Sequence, residues 1–373
     1  MHRTPTTVGA VAATAIVSLA LAGCATGSAA EPGAGDGLQV VSTTTQLGDL
    51  TREVAGDDAQ VTQLLQPGQS AHGFDPSPQA LQGLAAADVL VINGAGLEEW
   101  LDSAVEASGF DGTIVDTSED VHLHEGAGHD HGDHAHEGEE AHEEHAHEDE
   151  AHAEDEHADE THADEADADA AASEDGHDNE HAIDPHTWSD PQNAIHMVES
   201  IVAGLSAADE ASADAFAANG EAYVGQLEAL DAWIHASVEQ VPAEERLLVT
   251  THDTFSYLAE AQGIEVVGNV MASLDDNAEP SAAEMDALIA AIRDTGVRAV
   301  FSETSINPAL AETIARDAGV EVFSGEDALY ADSLGAEGSA GATYIGSQIH
   351  NITRIVESWG AEPAALPAEL EEP

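Results

Sequence analysis

Residues 121 to 181 form a tract that cannot supply a folded core, and this tract limits how the whole chain can fold. It holds 14 of the chain's 21 histidines among many Asp and Glu residues, with neither Lys nor Arg. Large apolar side chains are almost absent, so folding could not bury enough apolar surface to offset the lost conformational entropy. We expect the tract to be a disordered loop that interrupts an otherwise ordered chain.

Ordered sequence resumes at an octet, Asp184–Pro191, which reads DPHTWSDP. Each Pro lacks an N–H group and biases the residue before it toward an extended conformation, so His186 is predicted on a fixed loop. Asp190 and Pro191 are typical of a helix start in which the Asp side chain caps the helix. From the octet alone, His186 is either a packed side chain or a ligand.

The N-terminus has the pattern of a lipoprotein leader. Arg3 gives a basic start, Val8–Ala22 is apolar, and the following Gly23-Cys24 completes a segment that resembles the bacterial lipobox. We expect residues 1–23 to be a signal peptide, Cys24 to carry lipid on the outer face of the cell membrane, and residues 24–37 to be a flexible tether. The alternative is a secretory leader with an incidental cysteine. Cys24 is the only cysteine, which excludes an intramolecular disulfide and a thiolate metal site.

The charge balance excludes one large class of partners. Acidic residues number 74 against seven basic residues, all of them Arg, and the net charge is -67. Such a chain repels nucleic acid and anionic lipid headgroups, and it attracts cations. We therefore expect no nucleic-acid partner.

Strands and helices alternate on both sides of the tract. Strands are predicted at Leu38–Thr43, Val61–Leu65, Asp88–Asn93, Thr113–Asp116, Leu247–Thr251, Val266–Asn269, Ala299–Ser302 and Val320–Phe323. Helices are predicted at Gln46–Val54, Gln79–Ala87, Leu97–Ala107, Gln192–Leu205, Ser281–Thr295, Pro308–Ala318 and Ala342–Ser358, with one long helix from about Ala207 to Val238. The alternation predicts an α/β fold with parallel sheets and flanking helices.

Several side chains with metal-binding chemistry fall on loops or at strand ends. His72 lies in a turn-rich loop, His252 follows a predicted strand, Glu303 ends another strand, and Asp332 lies in a late loop. His196, His235 and His350 fall inside helices, where a packed or surface role is expected.

The tract itself offers neutral imidazoles beside carboxylates, a combination that suits a borderline-soft cation. Auxiliary metal ligands are predicted at His129, His131, His134, His136, His142, His145 and His147. The alternative is an acidic linker that only keeps the protein soluble.

Five segments together resemble the zinc and manganese substrate-binding lipoproteins of ABC importers, the ZnuA/TroA-like metal-binding family. In chain order they are the loop around His72, the octet, the segment Thr251–Tyr257, the segment Glu303–Asn307 and the segment Tyr330–Ser333. The resemblance covers about Leu38 to Gly360.

The resemblance implies two similar α/β lobes, residues 38–205 and 242–373, joined by one rigid linker helix within residues 206–241. It implies a metal ion in the interlobe cleft, bound by His72, His186, His252 and Asp332, with Glu303 either accepting a bond from a ligand or anchoring a helix and a strand. It also implies that a monomer delivers Zn²⁺ to an ABC permease and its ATPase.

The chemistry of this ligand set agrees with the resemblance. Three imidazoles and one carboxylate suit tetrahedral Zn²⁺ and are poor ligands for Mg²⁺ or Ca²⁺, which prefer more oxygen atoms. A filled shell leaves no position for an activated water, so we expect no enzyme activity and no catalytic residue. The alternatives are a receptor for Mn²⁺ or a broader set of transition metals, a zinc hydrolase with an open position, and a surface metal buffer or adhesin that uses only the tract.

Overall fold

Four parallel strands form one sheet in the first part of the chain, in the order β2-β1-β3-β4. The structure is a computed structural model that describes residues 37–124, 183–271 and 280–371. The strands are β1 (Leu38–Ser42), β2 (Ala59–Gln63), β3 (Val89–Ile92) and β4 (Thr113–Asp116). The central strand β3 is wholly apolar and buried, as expected for a parallel strand that is covered on both faces.

Four helices pack around this sheet, and we call the sheet with these helices the first lobe. They are α1 (Thr45–Ala55), α2 (Pro78–Ala85), α3 (Leu101–Ser108) and α4 (Pro191–Ala208). Helices α1 and α2 begin where the side chains of Thr44 and Ser77 accept backbone N–H bonds, so hydroxyl caps fix both starts.

The long helix α5 (Ala213–Val238) leads from the first lobe to the second and buries one apolar side. The sequence predicted a start near Ala207, but the chain breaks between α4 and α5. At the break the Asp209 carboxylate accepts bonds from the backbone N–H of Ala211 and the hydroxyl of Ser212, at 3.0 and 2.8 Å. Such local side-chain bonds compete with the helical hydrogen bonds and explain the later start.

The second lobe repeats the alternation with shorter strands. The strands are β5 (Leu247–Thr250), β6 (Glu265–Asn269), β7 (Ala299–Phe301) and β8 (Glu321–Phe323). The helices are α6 (Ser256–Gln262), α7 (Ala282–Thr295), α8 (Ala309–Ala318) and α9 (Tyr344–Ser358). The sequence analysis did not predict the short helix α6.

The described strands of the second lobe form two parallel pairs, β5-β6 and β7-β8, rather than one continuous sheet. Between the pairs, the Thr251 hydroxyl donates to the Phe301 carbonyl at 3.3 Å. The expectation of parallel strands with flanking helices in each lobe is confirmed, and the pairing in the second lobe is less extensive than a single sheet.

Some predicted features lie outside the described residues. These are the leader, Cys24 and the tether as far as residue 36, the tract from residue 125 to its end at residue 181, and the auxiliary histidines His129, His131, His134, His136, His142, His145 and His147. Among the described residues, no helix combines the length and the apolar character needed to cross a lipid bilayer.

The predicted helix start at the end of the octet is confirmed. Asp190 caps α4 by accepting the Gln192 N–H at 3.1 Å, and Pro191 takes the first helical position. Burial of the Asp190 carboxyl, together with the nearby Asp231, outweighs this hydrogen bond and raises the pKa of Asp190 to about 6.

We predict that Asp190→Asn stabilises the protein at alkaline pH. The raised pKa means that the folded state binds this proton more tightly than the unfolded state, so stability from Asp190 falls as the pH rises from about 4 to about 6. Asn keeps the cap without the buried charge, so its advantage near pH 8 should reach about 3 kcal/mol at most and vanish near pH 4. Urea unfolding of both proteins at the two pH values measures this difference.

The matched control is Asp214→Asn, which changes an exposed carboxylate in the first turn of α5. Asp214→Asn removes a carboxylate without relieving any burial, so it should not give the stabilisation expected of Asp190→Asn. The free energies of unfolding of Asp190→Asn and the parent protein are compared at both pH values. If they differ by the same amount near pH 4 and near pH 8, the raised pKa of Asp190 is contradicted.

Candidate metal centre

Four side chains that are distant in sequence meet between the two lobes. They are His72, His186, His252 and Asp332, and one ligand atom from each lies within 4.8 Å of all the others. The structure therefore brings together all four of the residues that the sequence analysis assigned to a metal, and among the described residues it forms no other group of this kind.

Several distances between the ligand atoms are close to those of one coordination shell. The Nε2 atoms of His72 and His186 are 3.1 Å apart, and the nearest contacts of the three imidazoles with the Asp332 carboxylate are 3.3 to 3.9 Å. A tetrahedral ion with bonds near 2.05 Å has ligand atoms about 3.3 Å apart. All three histidines direct Nε2 toward the same small volume.

Each of the four residues follows a strand of one of the two lobes. His72 lies in the loop after β2, His186 in the octet, His252 after β5 and Asp332 in the loop after β8. The carboxyl ends of parallel strands are the usual place for a ligand in α/β proteins. His186, His252 and Asp332 are at most 2% exposed, and the partly exposed His72 marks the side that is open to solvent.

Asp184 fixes the orientation of the His186 ring. One carboxylate oxygen of Asp184 lies 2.7 Å from Nδ1 of His186 and also accepts the backbone N–H of His186 at 2.9 Å. A contact this short between a ring nitrogen and a carboxylate places the proton on Nδ1, so Nε2 presents its lone pair to the centre. The Ser256 hydroxyl, from the second lobe, donates to the other oxygen of Asp184.

Glu303 orients the His252 ring in the same way. One oxygen of Glu303 lies 2.7 Å from Nδ1 of His252, and the other accepts the His252 backbone N–H at 3.0 Å. Glu303 is 2% exposed, so this negative charge acts on His252 with little screening by water. Both contacts of the Glu303 carboxylate are to His252, as expected for a residue that accepts a bond from a ligand.

The Asp332 carboxylate is buried and lacks ordinary partners. Neither oxygen has a hydrogen-bond partner among the described residues, although a buried carboxylate without partners is costly. Burial alone would raise the pKa of Asp332, but the imidazoles of His252, His186 and His72 lower it well below its usual range. The oxygens are therefore charged and available to a cation.

The pKa of His252, which faces Asp332, is also shifted by the buried charges of the site. Burial alone would lower the pKa of His252, but the carboxylates of Asp332 and Glu303 raise it well above its usual value. Similarly, burial would raise the pKa of Asp184, but the hydrogen bonds from His186 and Ser256 lower it. These buried carboxylates create a strongly negative volume that favours a divalent cation over water.

The remaining described histidines of the predicted set have ordinary structural roles. His196 and His235 are exposed on helices; His196 lies 3.3 Å from Glu199 on α4, and His235 lies 3.4 Å from Glu239, just past the end of α5. The Nε2 atom of His350 lies 3.0 Å from the Ala328 carbonyl, and the His350 ring packs against Tyr330. The expectation that these three are packed or surface residues is confirmed.

The sequence analysis missed the role of Asp184. Its position two residues before His186 was the available signal, because an Asp side chain can accept bonds from the residue two positions later. The pattern instead indicated a corner before a Pro. Asn93, whose side chain donates to the Pro185 carbonyl at 2.9 Å, was also missed, since nothing in the sequence connects residues 92 positions apart.

Comparison with known proteins identifies the family. The family described as zinc-uptake complex component A, periplasmic, matches residues 40–358. The manganese-binding lipoprotein MntA of Halalkalibacterium halodurans is 29% identical over 91% of this chain and 95% of its own length. The zinc-binding lipoprotein AdcA of Streptococcus pneumoniae is 29% identical over 90% of this chain and 58% of its own length. The iron-binding protein YfeA of Yersinia pestis is 26% identical over 87% of this chain and 86% of its own length.

Among solved structures, the periplasmic zinc-binding protein TroA of Treponema pallidum has the same fold. It superimposes with a TM-score of 0.68 at 24% identity, over 87% of this chain and 99% of TroA. The family match spans most of the chain, and the α/β fold with its two lobes agrees with it. The chain therefore belongs to the zinc-uptake complex component A family and is an extracytoplasmic metal-binding receptor rather than an enzyme.

Proposed function

We propose that this protein is a zinc receptor that captures Zn²⁺ outside the cell membrane and delivers it to an ABC importer. The observation that carries the proposal is the convergence of three imidazole Nε2 atoms on a buried carboxylate whose oxygens have no hydrogen-bond partner among the described residues. One small cation at that point would satisfy all four groups at once.

The donor set favours zinc within the metals that the relatives' names mention. Three nitrogen donors and one oxygen donor suit a borderline ion in tetrahedral geometry, whereas Mn²⁺ prefers more oxygen donors. The orienting carboxylates of Asp184 and Glu303 make the imidazoles more basic, which strengthens their bonds to zinc. A receptor for Mn²⁺ or for several transition metals is the alternative.

Competition binding of Zn²⁺ and Mn²⁺ tests the proposal. We expect Zn²⁺ to bind more tightly, in line with the general order of divalent affinities, and His252→Glu to narrow the difference because it replaces a nitrogen donor by oxygen. Calorimetry showing that Mn²⁺ binds more tightly than Zn²⁺ would favour the alternative.

The competition experiment should use a protein without the tract, because tract histidines would add weak sites. Deletion of residues 126–179 is compatible with the fold, since the ends of the tract already meet: the Asp184 N–H donates to the His124 carbonyl at 3.0 Å. Tyr257 secures this junction by accepting the His124 N–H and donating to the Asp184 carbonyl.

The same proposal assigns roles to the parts of the chain that flank the receptor. Lipid on Cys24 would hold the protein at the outer face of the membrane, close to the permease and ATPase that take up the metal. The tract would collect Zn²⁺ weakly near the cleft. Release would follow when the permease separates the lobes, since His252 and the pair His72 and His186 belong to different lobes.

A further inference from the structure

Trp188 connects the segments that carry two of the four ligands. Its indole N–H donates to the carbonyl of Ala331 at 3.1 Å, and Ala331 immediately precedes Asp332. Trp188 itself lies two residues after His186 and packs edge-on against its ring, with ring centroids 5.3 Å apart. The side chain of Gln46 donates to the same carbonyl at 2.9 Å. One peptide group next to Asp332 is thus held by two donors from the first lobe.

The residues that follow Asp332 are also bound to the first lobe. The Leu334 N–H donates to the Thr45 hydroxyl at 2.8 Å, and the Ser333 hydroxyl accepts the Gly68 N–H at 2.8 Å. Asp332 belongs to the second lobe in sequence, but the atoms that fix its backbone on both sides belong to the first.

Trp100 makes the equivalent contact beside another ligand. Its indole N–H donates at 2.8 Å to the carbonyl of Ala71, which immediately precedes His72. Phe74 packs edge-on against the Trp100 ring, with centroids 4.9 Å apart, and keeps the indole in place. His72 is the most exposed of the four proposed ligands, whereas Ala71, whose carbonyl accepts the indole N–H, is fully buried.

We infer that Trp100 and Trp188 are positioning residues for the bound metal, each holding the peptide group that precedes a ligand. Fixing that carbonyl restricts rotation about the backbone bonds of the ligand residue, and so it limits where the ligand side chain can point. Neither indole belongs to the group of four side chains that converge on the proposed metal position. The inference rests on the proposed function, because it takes His72 and Asp332 as ligands of one metal.

The chain offers a matched control. Trp233, on α5, also donates its indole N–H to a backbone carbonyl, that of Ala364 at 2.9 Å, and it is 4% exposed against 3% for Trp188. Ala364 is near no ligand in sequence. Trp188→Phe and Trp233→Phe each remove an indole N–H group and the same volume, and the two sites are equally buried.

The test uses Co²⁺ as the probe on the full chain. Cobalt in a buried four-coordinate site absorbs visible light far more strongly than hydrated cobalt, so the absorption reports cleft occupancy while excess chelator removes the metal. We expect Trp188→Phe and Trp100→Phe to release cobalt about tenfold faster than wild type, on the scale of losing an outer contact to a metal ligand, and to shift the absorption bands. Trp233→Phe should lower the melting temperature like Trp188→Phe but leave both the release rate and the bands unchanged.

Equal release rates for Trp188→Phe and Trp233→Phe would overturn the inference. If Trp188→Phe does not fold, Gln46→Met is the alternative variant, because it removes the other donor to the Ala331 carbonyl. Gln46→Met should also accelerate cobalt release. An unchanged release rate in Gln46→Met would equally overturn the inference. A separate result would contradict the proposed function. If His252 is not a metal ligand, His252→Ala should give the same cobalt absorption as wild type.

Discussion

We expect His186→Ala to lower the affinity of the proposed site for Zn²⁺ by at least about a hundredfold, since even changes outside a metal shell cost about 10- to 100-fold. His186 is fully buried and its Nε2 lies 3.1 Å from Nε2 of His72 and 3.6 Å from Asp332. Removing the ring deletes one of three nitrogen donors and leaves the carboxylate of Asp184 without its imidazole partner. Competition with a chromophoric chelator, on the protein lacking residues 126–179, measures the loss.

His196→Ala is the control for this prediction. His196 lies on α4, only ten positions further along the chain, but its side chain is 46% exposed and contacts Glu199. It should bind zinc like the parent protein. The cleft assignment would be wrong if His186→Ala bound zinc as tightly as His196→Ala.

We expect Glu303→Gln to lower zinc affinity about 10- to 100-fold although Glu303 is not among the four proposed ligands, because such outer partners orient the ligand and raise its basicity. The amide keeps the size of the side chain but removes the negative charge 2.7 Å from Nδ1 of His252. Without that charge, the tautomer that presents Nε2 to the cleft is less favoured. Isothermal titration with zinc, on the same tract-deleted protein, gives the change in affinity.

Asp49→Asn controls for the loss of a buried carboxylate. Asp49 is 8% exposed and accepts the backbone N–H of Tyr344 at 2.7 Å, so its replacement also removes a buried charge. It contacts none of the four proposed ligands and should not alter zinc affinity. If Glu303→Gln and Asp49→Asn bound zinc alike, Glu303 would have no role in orienting His252.

Local sequence patterns predicted most of the elements because their causes are local. Strand β4 has the predicted bounds, Thr113–Asp116, since an apolar run between turn residues has few alternatives. Helix α6, at Ser256–Gln262, was missed because seven residues show little periodicity. The start of α5 was predicted too early because nothing in the pattern showed that Asp209 would bond to its own neighbours.

The sequence led to the four proposed ligands and to Glu303, but not to the other residues that support them. His72, His186, His252 and Asp332 lie in motifs that resemble a family, so their grouping could be predicted. The bond from Gln46 to Ala331 joins residues 285 positions apart, and no local pattern carries that information. The bond from the Trp188 indole to the same carbonyl spans 143 positions and is equally absent from any local pattern.

The most direct test of the proposed zinc site is a crystal structure of the protein loaded with one equivalent of Zn²⁺, with anomalous diffraction measured at the zinc absorption edge. The account predicts a single strong peak within about 2.0–2.2 Å of Nε2 of His72, His186 and His252 and of an oxygen of Asp332. A strong peak elsewhere, with none between these four side chains, would contradict it.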